Sequence, residues 1–114
     1  KLDEGLLITP WHPVRINGVW KFPQDLGNVI VYDTPSVYNF VLDKLHIMTI
    51  NNVECVTLGH GFQEPVVKHP FFGTEKVIKD FQMKYSNGWS NGLVILNSAS
   101  ISRDVDTGMV NSFL

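Results

Sequence analysis

Four histidines, His12, His46, His60 and His69, and the single Cys55 are the side chains best suited to metal binding or nucleophilic chemistry. Two of them are placed by a hairpin. Asn51-Asn52 reads as a two-residue turn, so Ile50 faces Val53, Thr49 faces Glu54 and Met48 faces Cys55. Alternation then puts His46, Met48 and Ile50 on one face with Val53, Cys55 and Thr57. His46 falls diagonal to Cys55, where an imidazole could take the thiol's proton and leave the nucleophilic thiolate. A free cysteine in a hairpin is more often a small buried hydrophobe, and the geometry alone favours that reading.

The segment Thr9-Pro10-Trp11-His12-Pro13 places a hydroxyl three residues before an imidazole. Its two prolines fix φ and remove donors, which makes the stretch stiff and non-helical. Acyl chemistry at such a site needs a hydrogen bond to a developing oxyanion and a proton for the departing amide nitrogen. Thr9 and His12 can supply them. On these residues alone, a proline-rich turn whose histidine caps something local remains the simpler account.

Metal ligation is the rival use of a His/Cys set. Structural zinc sites bring close pairs such as C-x₂₋₄-C and H-x₃₋₅-H. Cys55 and His60 form one such spacing, and no second pair completes a tetrahedron. The sequence has no H-E-x-x-H, no Gly-rich phosphate loop and no G-x-S-x-G.

The elements that must hold these residues are mainly β. Asn17-Gly18 is a strong hairpin signal between residues 14–16 and 19–22, because both central positions of a type I′ turn need φ > 0. Residues 6–8, 29–32, 37–42, 46–50, 53–58 and 93–96 read as further strands or short apolar runs, with a turn over 33–36. Thr74 is a good N-cap, and Val77, Ile78, Phe81 and Tyr85 share a helical face. Asn87-Gly88 is expected to stop that helix. Residues 101–114 read as a loop or one weak helix.

A length of 114 residues suits one domain with a core of its own. The chain is 44% hydrophobic and 18% charged, the composition of a globular protein. A net charge of −2 advertises no basic face, so nucleic acid is not an expected partner. No apolar run approaches the roughly 18 residues of a membrane helix. With one cysteine the fold does not rest on an internal disulfide. The compartment is not fixed by this, and a cytoplasmic setting is favoured. No cofactor is implied.

Two segments together resemble a known family. Thr9-Pro10-Trp11-His12 resembles the T-x-x-H motif of Hint domains, the self-processing modules of inteins and Hedgehog proteins. Val37-Tyr38-Asn39-Phe40-Val41-Leu42, then His46, then Asn51-Asn52-Val53, resembles the late Hint motif, V-Y-D-L-x-V followed by H-x-F and N-G. The order is the family's own. The stretches 7–23, 37–42 and 53–62 are most similar to the Vint branch, found with von Willebrand A domains, and 69–74 also fits that branch.

The resemblance implies a Hint-like β horseshoe with one short helix near residues 74–86. It also implies an autoprocessing ancestry. A Cys, Ser or Thr at the domain's first position attacks the preceding carbonyl and converts a peptide bond into an ester or thioester. Carried over, Thr9 orients the scissile peptide and His12 protonates its nitrogen. His46 matches the late motif's histidine, and Cys55 lies close to the place of a Hedgehog-type cysteine. Asn39 stands where inteins often have an acid, and no His-Asn pair follows the late motif. Both departures count against intein-type later steps.

The nucleophile should precede T-x-x-H by more than the eight residues present here. The expectation is therefore a single Hint/Vint-like domain, or its C-terminal portion lacking the first strands and the nucleophile, inactive as an isolated chain. Its substrate would be its own upstream polypeptide. The alternative is a non-catalytic β module that docks a protein partner within a larger chain. A zinc-stabilised domain using His46, Cys55, His60 and His69 is a weaker third.

Overall fold

The computed structural model describes residues 1–2 and 5–114. Two hairpins build the main sheet. Strands β1 (Val14–Ile16) and β2 (Val19–Lys21) are joined by Asn17-Gly18, with φ of 50° and 79°. Strands β3 (Ile47–Ile50) and β4 (Val53–Val56) are joined by Asn51-Asn52, with φ of 49° and 64°. Positive φ at both central positions matches the right-handed strand twist. Ile50 pairs with Val53, Thr49 with Glu54 and Met48 with Cys55, the expected register. The hairpins join through antiparallel pairing of β1 with β4, Val14 opposite Cys55, giving the order β2-β1-β4-β3.

Each face of this sheet buries a different set of side chains. Val14, Val53 and Cys55 pack with Leu2 and Leu6 on one face. Trp20 and Val56 pack with Val67 on the other. At the edge of that second face Arg15 pairs with Glu54 at 2.6 Å and lies over the Trp20 ring.

Helix α1 (Glu75–Lys84) starts where Thr74 accepts a hydrogen bond from the Lys76 N–H, and it buries Val77 and Phe81. A second hairpin-like sheet, β5 (Ile101–Arg103) with β6 (Val110–Phe113), closes over it. Phe113 packs among Phe71, Phe81 and Tyr85. The architecture is thus two β-sheets with one main helix, the mainly β class expected.

Several local expectations are corrected. Residues 29–32 and 37–42 form no strands among the described residues; their backbone finds no ladder, apart from a single bridge between Val41 and Leu58. β-propensity without a neighbouring strand does not make a sheet. Residues 6–8 and 93–96 are likewise not strands, although Leu6 is buried. Asn87-Gly88 does not end the helical region. Helix α1 ends before it, and helix α2 (Ser86–Asn91) runs through both residues to close on Gly92 at φ 83°. Residues 101–114 are the β5–β6 hairpin rather than a loop or helix. Asp104 accepts from the Asp106 and Thr107 N–H groups at its turn, and Val110 and Phe113 are the apolar anchors. No described helix is long and apolar enough to cross a membrane.

Candidate active site

Thr9-Pro10-Trp11-His12 is a tight turn, closed by the His12 N–H donating to the Thr9 carbonyl at 3.2 Å. Proline at its second position is pre-set for this shape. The turn is anchored on both sides. Gln24 N–H donates to the Pro10 carbonyl, and Trp11 packs edge-on against Phe22. The chain then enters β1, so the sheet fixes the height at which His12 sits.

His12 lies against β4, with Nε2 at 2.8 Å from the Val56 carbonyl oxygen. A carbonyl only accepts, so Nε2 carries the proton and Nδ1 carries the free lone pair. Nδ1 has no hydrogen-bond partner among the described residues. Burial pulls the His12 pKa below its ordinary value, against the opposing pull of the Val56 hydrogen bond. The imidazole is therefore neutral near pH 7 and available as a base.

His12 lines a cavity of about 360 Å³. Its polar lining includes Thr9, Asn39 and Thr57, with Cys55 beside them. The apolar wall includes Leu6, Val37, Phe40, Met48 and Ile50. Thr9, His12 and Cys55, separated in sequence, thus meet at one cavity. The cavity is made possible by the β1–β4 pairing, which brings the first hairpin onto the second.

His46 does not join them. Leu45 and His46 both have positive φ, 67° and 56°, so the chain turns before β3 and the strand alternation does not extend to His46. Its Nδ1 is buried without a hydrogen-bond partner among the described residues, and it does not line the cavity. Cys55 instead donates weakly to the Val53 carbonyl at 3.6 Å, and burial pushes its thiol pKa up. The His46–Cys55 relay drawn from strand geometry is not formed.

The other two histidines are used by the backbone. His60 Nδ1 accepts from Phe62 N–H at 2.8 Å. His69 Nδ1 accepts from the Phe71 and Phe72 N–H groups at 3.1 and 2.9 Å. Among the described residues, no three His, Cys, Asp or Glu side chains are gathered as a metal site would gather them.

The T-x-x-H turn and the late hairpin carry the two motifs on which the resemblance rests, and the β1–β4 pairing joins them. The family model for Vint, described as a Hint-domain, matches residues 1–112. The chain belongs to the Vint family of Hint domains. No curated protein matches it. In this Vint domain the sequence reading missed two features of the site. The Val56 carbonyl that orients His12 depends on long-range pairing and leaves no local signal. Thr57 carried a signal, since alternation along the late hairpin puts it on the face of Cys55.

Proposed function

We propose that this Vint domain is the acyl-transfer part of a self-processing module that acts on a peptide bond of its own polypeptide. A Cys, Ser or Thr attacks the preceding carbonyl carbon. The new S–C or O–C bond forms, the C–N bond breaks, and the amide nitrogen takes up a proton. Water or another nucleophile then takes the acyl group, the ester or thioester C–O or C–S bond breaks, and the hydroxyl or thiol is regenerated.

His12 carries the proton in this reading. As a neutral base it accepts the nucleophile's proton at Nδ1 and returns it to the departing nitrogen. Thr9 orients the scissile peptide. The observation that carries the reading is the Nε2 bond to Val56, which leaves Nδ1 as the free nitrogen of a histidine that lines the same cavity as Thr9. Cys55, with its raised pKa and no base bonded to it, takes no nucleophilic part.

The test is expression of the natural full-length protein, with mass spectrometry of the products. A cleaved junction ahead of the domain that disappears in His12→Ala supports the reading. Absence of a fragment, or cleavage indifferent to His12→Ala, defeats it.

A second reading, a non-catalytic module that docks a protein, is favoured by one observation. Val29, Val31, Tyr32, Val37 and Tyr38 are exposed on a backbone with no strand partner among the described residues. A partner retained after Thr9 and His12 are both replaced by alanine would favour it.

A further inference from the structure

Thr57 is 4% exposed, and its Oγ1 has no hydrogen-bond partner among the described residues. A buried hydroxyl left unpaired is costly, and most native ones are satisfied. A valine there would fill nearly the same volume without that cost. Thr57 is one residue past β4, and its backbone N–H is already taken by the His46 carbonyl at 3.0 Å. The side chain is therefore held in place while its hydroxyl is left over. It lines the same cavity as Thr9 and His12. The preceding residue, Val56, supplies the carbonyl that orients the His12 ring. Two successive residues of the cavity wall thus carry a carbonyl used by His12 and a buried hydroxyl that is unused among the described residues.

We propose that the Thr57 hydroxyl is a substrate-binding group, which hydrogen-bonds the backbone of the peptide segment whose scissile amide lies beside His12. This rests on the self-processing reading. The apolar wall around it suits a segment with hydrophobic side chains, because a hydroxyl reading main chain leaves those side chains to Leu6, Phe40 and Ile50. The hydroxyl can donate to a peptide carbonyl or accept from a peptide N–H, so it orients the segment without entering the proton transfer.

The test compares Thr57→Val and Thr57→Ser in two settings. In the isolated chain Thr57→Val should raise the Tm by several degrees, since an unpaired buried hydroxyl is removed. In the natural full-length protein the same variant should slow processing roughly tenfold, about the effect of one lost neutral hydrogen bond. Thr57→Ser, which keeps the hydroxyl, should restore most of the rate. The pH profile set by His12 should keep its midpoint in both variants. Processing by Thr57→Val at the parental rate overturns the inference and leaves the self-processing reading standing. So does a Thr57→Val chain that is destabilised or unfolded, because the hydroxyl then serves the fold. A loss of rate that serine does not restore also overturns it. No processing by the unmodified protein defeats the self-processing reading itself, and the role of Thr57 with it.

Discussion

The His12 imidazole and the Val56 carbonyl are 44 positions apart in sequence and 2.8 Å apart in space. That bond fixes the tautomer of a half-buried histidine and joins the T-x-x-H turn to the late hairpin. It also sets a structural cost for removing the ring. His12→Ala should leave the Val56 carbonyl without its partner and lower the unfolding free energy by about 1–2 kcal/mol. Urea denaturation of the isolated chain measures this. A loss of processing in His12→Ala should therefore be compared with His12→Gln. Glutamine can donate its amide N–H to the same carbonyl and recover stability, but it cannot shuttle a proton.

Acid should destabilise the fold before the carboxylates titrate. His12, His60 and His69 all have pKa values lowered below 6.5, chiefly by burial. Neighbouring His46 lowers His60 further, and so does His69 to a smaller degree. The unfolded chain therefore takes up protons first as the pH falls. Stability is full above about pH 6.5 and is lost as the pH drops through the lower native values. Each imidazole contributes a slope of at most about 1.4 kcal/mol per pH unit. The urea midpoint should fall between pH 7.5 and pH 5. His69→Asn, whose side-chain oxygen can accept the same Phe71 and Phe72 N–H groups without titrating, should flatten that fall.

Cys55 should behave as a core residue. It is 3% exposed, packs with Val14 and Val53, and has its thiol pKa raised by burial. A disulfide reagent at pH 7.5 should modify it slowly in the native chain and at once in urea. Cys55→Ala should cost stability by about 1–2 kcal/mol, the loss expected when a small buried side chain is trimmed, and leave processing in place. A native thiol that reacts as fast as a free one would return Cys55 to the catalytic candidates.

The sequence was most legible where a turn dictates its own shape. Asn17-Gly18 and Asn51-Asn52 each need two positive φ values, and from the second turn the register of Met48 against Cys55 follows by counting. Thr74 and the spacing of Val77 and Phe81 announced helix α1 in the same local way. Legibility ended where pairing is long-range. Residues 29–32 have strand composition and no strand to join among the described residues, whereas residues 101–114 look polar and form a hairpin because Val110 and Phe113 find the helix. For the site, Thr9 and His12 were visible as a motif. His46 was misplaced beside Cys55, because nothing in its spacing reveals that Leu45 and His46 turn out of the strand.

Asp80 decides whether that last hairpin stays docked. Its Oδ2 accepts from the Phe113 N–H at 2.9 Å and from Lys84 Nζ at 3.3 Å, and Lys84 Nζ in turn donates to the Phe113 carbonyl at 2.6 Å. Phe113 is thus held at both its backbone groups by one turn of helix α1, while its ring is buried against Phe71 and Phe81. Asp80→Ala leaves a partly buried N–H unpaired and should cost about 1–3 kcal/mol. Asp80→Asn keeps an acceptor for the N–H and should cost less. Hydrogen exchange distinguishes the local from the global effect. In Asp80→Ala the amides of β5 and β6 should exchange faster, while those of β1 and β4 keep their protection. Since the cavity lies on β4 and the T-x-x-H turn, processing should survive Asp80→Ala wherever the domain remains folded. A variant that loses protection across both sheets together would mean that the hairpin and the site unfold as one unit.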